Sequence, residues 1–166
     1  MMQNTETAIR RALTSGTLAG IATVSAAALA GKRETGSYAA PLNATSHIVW
    51  GESAAMRNSP SLKYTLTGFV LNHAAAIFWA AVYEKFFGAE SSQSSRRNWP
   101  LRPLIGGAIV TAGAYLTDYY LVPKRLTPGF EKRLSGPSLF TVFGVLALGL
   151  AARDLIAPRT KWNRIP

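Results

Sequence analysis

The 166-residue chain contains no cysteine, which excludes disulfides, thiolate metal sites and thiol catalysis. It is poor in charge, because 16% of its residues are charged against roughly 25% in an average soluble domain. Acidic residues are the scarcer kind, 8 against 18 Lys and Arg. The patterns G-x-S-x-G, H-E-x-x-H and G-x-x-x-x-G-K-[ST] are also missing from the sequence. We therefore predict that the chain is not an enzyme and expect no cofactor.

Apolar residues are concentrated in four long stretches that carry little charge, at 12–31, 64–88, 101–122 and 137–157. Each has about the 20 residues that a helix needs to cross ~30 Å of hydrocarbon. A soluble bundle is the alternative, but its helices would show a polar face in every turn. Residues 139–152 hold no charge and one hydroxyl, on Thr141. The sequence predicts an all-α fold, a bundle of four transmembrane helices that forms a single integral membrane domain over residues 1–166.

The net charge of +10 lies beside the apolar stretches. Small basic groups flank them, at Arg10-Arg11, Lys32-Arg33, Arg96-Arg97, Lys124-Arg125, Lys132-Arg133 and Arg159/Lys161/Arg164. Such groups anchor helices and attract anionic lipid headgroups, so we expect the bilayer and its headgroups as partners and no nucleic acid. With four spans, ten Lys and Arg fall on the side of the termini and eight on the other. The positive-inside rule then favours cytoplasmic termini.

The first stretch also has the features of a secretory signal. Arg10-Arg11 precedes a weak apolar run, and Ala28-Leu29-Ala30 before Gly31 fits an A-x-A cleavage site. Cleavage of this stretch is therefore the alternative to a first membrane span.

Small residues favour the membrane-span interpretation. Gly16 and Gly20 form a G-x-x-x-G pattern that continues along one helical face, and such faces let transmembrane helices pack closely. Gly107 and Ala114 lie on one face of the third stretch in the same way. We predict helix-packing roles for these four residues.

The longest connection, 32–63, carries an amphipathic segment over residues 41–52. Ile48, Val49 and Trp50 form its apolar part, and Trp is enriched at membrane interfaces. The segment predicts a short interfacial helix that lies on the membrane or dips into it.

Polar side chains inside the apolar stretches require an explanation, because an ionisable group in hydrocarbon costs at least ~2.5–3.5 kcal/mol on insertion scales. Asn72 and His73 lie in the second stretch, and Asp118 lies near the end of the third. The second and third spans are antiparallel, so these residues share one leaflet, and the loop with His47 opens on that side. The sequence predicts a candidate polar cluster of His47, Asn72, His73 and Asp118.

This cluster has several interpretations. Hydrogen bonding between helices is the ordinary one, worth about 0.6–2 kcal/mol. A proton, ion or quinone site is the functional alternative, and haem b would need His47 and His73 as its two axial ligands. No H-x-x-x-H or similar spacing indicates a metal site, so we predict none.

Two parts of the chain resemble small uncharacterised inner-membrane proteins of proteobacteria. The resemblance is carried by residues 41–52 with Leu62-Lys63-Tyr64-Thr65 and Asn72-His73, and by residues 117–131. It covers most of the chain and implies a multi-pass protein of the bacterial inner membrane, without an activity. We therefore expect a structural or accessory role, in which basic loops engage lipid, a membrane-protein partner or a second copy of the chain.

Overall fold

A computed structural model describes residues 2–88 and 101–156, with side chains from residue 6 onwards. This part of the chain is helical and contains no strand. Its α-helices are α1 Met2–Thr35, α2 Ala40–Thr45, α3 His47–Trp50, α4 Glu52–Ala55, α5 Thr67–Phe87, α6 Leu101–Leu116 and α7 Gly136–Ile156. A π-helical turn, Leu62–Leu66, precedes α5, and a second one, Thr117–Leu121, follows α6. Two 3-10 turns, Lys124–Leu126 and Phe130–Lys132, lie between α6 and α7.

Three helical segments of the described chain are long and apolar enough to cross a membrane, Glu6–Thr35, Leu62–Phe87 and Gly136–Ile156. The third predicted span, 101–122, is not among them. Its α-helix ends at Leu116 after 16 residues, which is about 24 Å at 1.5 Å per residue. The all-helical fold and three membrane-length helices are therefore as predicted, while the count of four spans is not confirmed by helix length and composition.

The long helices pack through small residues. α1 contacts both α5 and α7, and α6 contacts α7 and α5. A Cβ on Gly16 would lie 2.5 Å from the Cα of Ile77 on α5, and one on Gly149 would lie 2.7 Å from the Cα of Ala19 on α1. Distances this short leave no room for a side chain, so glycine sets how closely these helices approach.

Polar contacts define the directions of the long helices: α1 runs antiparallel to α5 and to α7, and α5 and α7 run parallel to each other. At one end of the bundle, the connection after α1 meets the one before α7, where Lys132 Nζ donates to Glu52 Oε2 at 2.6 Å. At the other end, the Tyr83 hydroxyl near the end of α5 donates to Asp154 Oδ2 near the end of α7 at 3.0 Å. Ser15, early in α1, donates to Glu84 Oε1 at 3.0 Å at that same end.

The connection between α1 and α5 differs from the predicted interfacial helix. All six residues of α2 are buried, because protein encloses the helix on several sides. A Cβ on Gly68 of α5 would lie 1.8 Å from Leu42 O, and one on Gly129 would lie 2.5 Å from Ala44 O. The predicted apolar anchor lies at α3, where Val49 and Trp50 are 48% and 44% exposed. The segment thus forms three short helices, of which α2 is buried between α5 and the connection that precedes α7.

Candidate functional site

A cavity of about 150 Å³ lies inside the bundle, towards the end that holds α2. Helices α1, α2, α3, α5 and α7, the π turn after α6 and the connection to α7 all contribute to its walls. Most of the lining is apolar and includes three aromatic side chains, Trp79, Phe130 and Phe143. Four polar residues also line it, namely Thr23, Thr45, Asn72 and Asp118. Both the second and the third predicted spans therefore bring a predicted site residue to one cavity.

Asp118 stands out among these polar residues, because its carboxyl forms no hydrogen bond or ion pair within the described chain. The residue is partly buried in the π turn that follows α6. The charged group that acts on it electrostatically is Glu131, a second carboxylate. Asp118 is therefore a carboxyl without a countercharge at the wall of an apolar cavity.

The other polar side chains of the lining each make one contact with a backbone oxygen of α1 or α2. Thr23 Oγ1 donates to Ala19 O at 2.6 Å, and Thr45 Oγ1 donates to Pro41 O at 3.2 Å. The Asn72 amide nitrogen is directed to Gly20 O at 3.5 Å. Since each threonine hydroxyl has one proton, both threonines can offer only acceptor lone pairs to the cavity.

The two histidines of the predicted cluster lie outside this lining. His73 faces α1, with Nε2 3.3 Å from Thr17 Oγ1 and its ring stacked on Phe69 at 5.7 Å between centroids. His47 is buried in the first connection, with Nδ1 2.8 Å from Ala44 O. His73 follows Asn72 in sequence and both contact α1, but only Asn72 also lines the cavity.

Neither histidine lines the cavity, so the residues there do not fit a haem iron with two axial imidazoles. The described chain also contains no group of three or more His, Asp or Glu side chains that could hold a metal ion.

The packing residues predicted from the sequence all lie at close contacts or in the core. A Cβ on Gly20 would lie 2.9 Å from His73 Nδ1, and one on Gly107 would lie 2.4 Å from Ala147 O on α7. Gly16 faces Ile77 as described above, and Ala114 is fully buried. These positions have no space for larger side chains.

A second polar cluster, at the opposite end of the bundle, was not predicted. The Glu84 side chain is 4% exposed, and Arg153 Nη1 lies 3.7 Å from its Oε1, which also accepts from Ser15. Next to it in sequence, the Tyr83 hydroxyl is bonded to Asp154, which is itself 4% exposed. The signal in the sequence was a pair of polar dipeptides, Tyr83-Glu84 and Arg153-Asp154, each near the end of an apolar stretch. The cluster joins α1, α5 and α7.

No protein-family model, curated protein or solved structure matches this chain.

Proposed function

We propose that the chain is a small multi-pass protein of the bacterial inner membrane, with four spans, cytoplasmic termini and a structural or accessory role. The outward faces of its helices carry this proposal. Large apolar side chains are exposed along them, including Phe78 at 60%, Ile109 at 55%, Phe140 at 82% and Leu148 at 57%. Soluble monomers rarely expose apolar surface on this scale, whereas lipid tails cover it without cost.

Helix α6 supports the count of four spans. Together with the π turn that follows it, the helical segment covers residues 101–121, which is about 30 Å at 1.5 Å per residue. Ile105, Ile109 and Leu116 are exposed on its outer side, and its inner side packs on α7 and α5. A helix of this length with an apolar outer face is suited to the same layer as its neighbours.

The contacts of the intramembrane polar side chains support a structural role. The His73–Thr17 contact and the Asn72–Gly20 contact join α5 to α1, as interhelical hydrogen bonds in membranes do. Lys63 lies over the exposed Trp50 ring at 4.6 Å, an arrangement suited to the headgroup region. The basic connections are then available to lipid headgroups or to a membrane-protein partner.

Single-cysteine mapping tests the topology, because the chain has no cysteine of its own. Met56→Cys and Lys124→Cys replace exposed residues in the first and third connections, Ser94→Cys lies in the second, and Leu148→Cys faces outward from α7. With four spans and cytoplasmic termini, an impermeant maleimide labels Met56→Cys and Lys124→Cys in spheroplasts. Ser94→Cys reacts after permeabilisation, and Leu148→Cys reacts only after denaturation.

The membrane embedding, the number of spans and the orientation each have their own contradicting result. Labelling of Leu148→Cys in intact membranes would refute the membrane-embedded bundle. Labelling of Met56→Cys without labelling of Lys124→Cys would show that α6 does not cross the membrane. If only Ser94→Cys were labelled in spheroplasts, the orientation would be the opposite one, with the termini on the periplasmic side.

A further inference from the structure

We propose that the cavity is a binding site for a small organic cation, an amine or alkylammonium ion attached to one apolar group of about ring size. The inference goes beyond the accessory role and depends on the cavity, not on the number of spans. It rests on an unpaired carboxyl, a lining that offers acceptors, three aromatic side chains and the size of the space.

Most other carboxylates of the described chain have polar or charged partners. Glu34 is 3.3 Å from Arg33, Glu52 is 2.6 Å from Lys132 and Glu84 is 3.7 Å from Arg153. Glu131 and Asp154 accept hydrogen bonds from the hydroxyls of Thr127 and Tyr83. Within the described chain Asp118 has neither an ion pair nor a hydrogen bond, although the full chain carries a net charge of +10. A carboxylate placed against apolar surface without a countercharge is costly. A cationic ligand supplies the charge that the described chain does not provide.

The hydrogen-bonding character of the lining favours the same ligand. Thr23 and Thr45 have given their hydroxyl protons to backbone carbonyls, and the Asn72 nitrogen is directed to Gly20 O. With the carboxylate of Asp118, these groups make the polar part of the cavity rich in acceptors. An ammonium N–H group satisfies acceptors, whereas a carbonyl or an anion does not.

The aromatic side chains and the volume define the apolar part of the ligand. Trp79, Phe130 and Phe143 line the space, and aromatic linings recognise ammonium groups through the negative faces of their rings. A volume of about 150 Å³ equals that of an engineered protein cavity known to hold benzene. One ring or a branched alkyl group of similar size therefore fits.

The cavity also reaches the outer surface of the bundle. Ala75 on α5 is exposed and at the same time lines the cavity. A ligand can therefore enter the cavity beside this small side chain. In the proposed bundle, lipid covers this face of α5. An amine with an apolar group concentrates at that surface, because its ring partitions into the bilayer. A bulky residue at position 75 would close this route from outside without replacing a core residue.

The test uses the full chain in mild detergent and two probes of nearly equal shape, benzylammonium and benzyl alcohol. Binding is measured by titration calorimetry. We expect Asp118→Asn to weaken benzylammonium binding about tenfold or more, because a hydrogen bond to a charged partner is lost. The same substitution should change benzyl alcohol binding less than about twofold, since no ion pair is involved.

Position 75 provides a second measurement that leaves Asp118 in place. Ala75→Trp should abolish binding of both probes, whereas Ala74→Trp, at the neighbouring exposed alanine outside the lining, should leave both unchanged. Thermal unfolding of each variant establishes that it is folded.

The proposal is overturned if folded wild-type protein does not bind benzylammonium, or binds both probes equally. It is also overturned if Asp118→Asn or Ala75→Trp leaves benzylammonium binding intact. If Asp118→Asn does not fold, the probe comparison on wild-type protein and Ala75→Trp decides.

Discussion

Asn43 shows how one side chain organises the first connection. It is fully buried, and its amide nitrogen donates to the backbone oxygens of Arg57 and Ser59, both at 3.0 Å. Its side-chain oxygen accepts from Thr65 Oγ1 at 2.7 Å. One amide thereby joins α2, the loop after α4 and the π turn before α5.

Replacing Asn43 by Ala should therefore lower the free energy of unfolding by about 2–4 kcal/mol, because each buried group left without a partner costs about 1–3 kcal/mol. Denaturant unfolding in detergent, followed by circular dichroism, measures the change. Ser53→Ala, at an exposed position of α4, is the control and should stay within about 0.5 kcal/mol of wild type. An Asn43→Ala protein as stable as this control would contradict the assigned role.

At the level of whole helices, packing depends on which face of the helix a glycine occupies. Gly107 and Gly113 both belong to α6. A Cβ at position 107 would lie 2.4 Å from Ala147 O, whereas a Cβ at position 113 would meet no atom within 4 Å. The same substitution in one helix should therefore have opposite consequences.

Gly107→Ala is expected to destabilise the protein by about 1–3 kcal/mol, since α6 must move away from α7. Gly113→Ala should be neutral or stabilise by up to about 1 kcal/mol, because alanine is the better helix former. Unfolding of the two variants under identical detergent conditions compares them directly. Equal stabilities would show that the α6–α7 distance is not set by Gly107.

Across the whole molecule, charged contacts fasten the first connection to the third at one end of the bundle. Lys132 pairs with Glu52, and the guanidinium of Arg133 is hydrogen-bonded to the Asn58 side chain. The hydrogen bond from Lys132 holds the pKa of Glu52 below its usual 4.5. Because that pKa is lowered on folding, the contact contributes stability above pH 4.5 and loses it as the pH falls through the lowered value.

A double-mutant cycle with Glu52→Gln and Lys132→Gln measures this contact. We expect a coupling of about 0.2–1 kcal/mol at neutral pH, as for other exposed pairs. The coupling should decrease well below pH 4.5 and in about 1 M salt, where screening is strong. A coupling that persists at low pH would indicate packing rather than charge as its cause.

Helix positions were largely predictable, while the contacts of polar residues were not. The second stretch, 64–88, falls within the helical segment Leu62–Phe87 apart from its last residue, because continuous apolar sequence of this length has few alternatives to a helix. The burial of α2 was not predictable, since its short apolar segment is equally suited to a membrane surface. Contacts with Gly68 and Gly129, far apart in sequence, decided its position.

Local and periodic features follow from the amino-acid sequence: a helical chain without cysteine, apolar outer faces, small residues where helices meet and basic connections. Which polar side chains share a space depends on the packing of the helices in three dimensions. Asn72 and Asp118 line one cavity, whereas His73 faces Thr17 and His47 is enclosed beside Ala44. The reason is that periodicity defines the faces of a helix, while its rotation and depth against its neighbours depend on contacts distant in sequence.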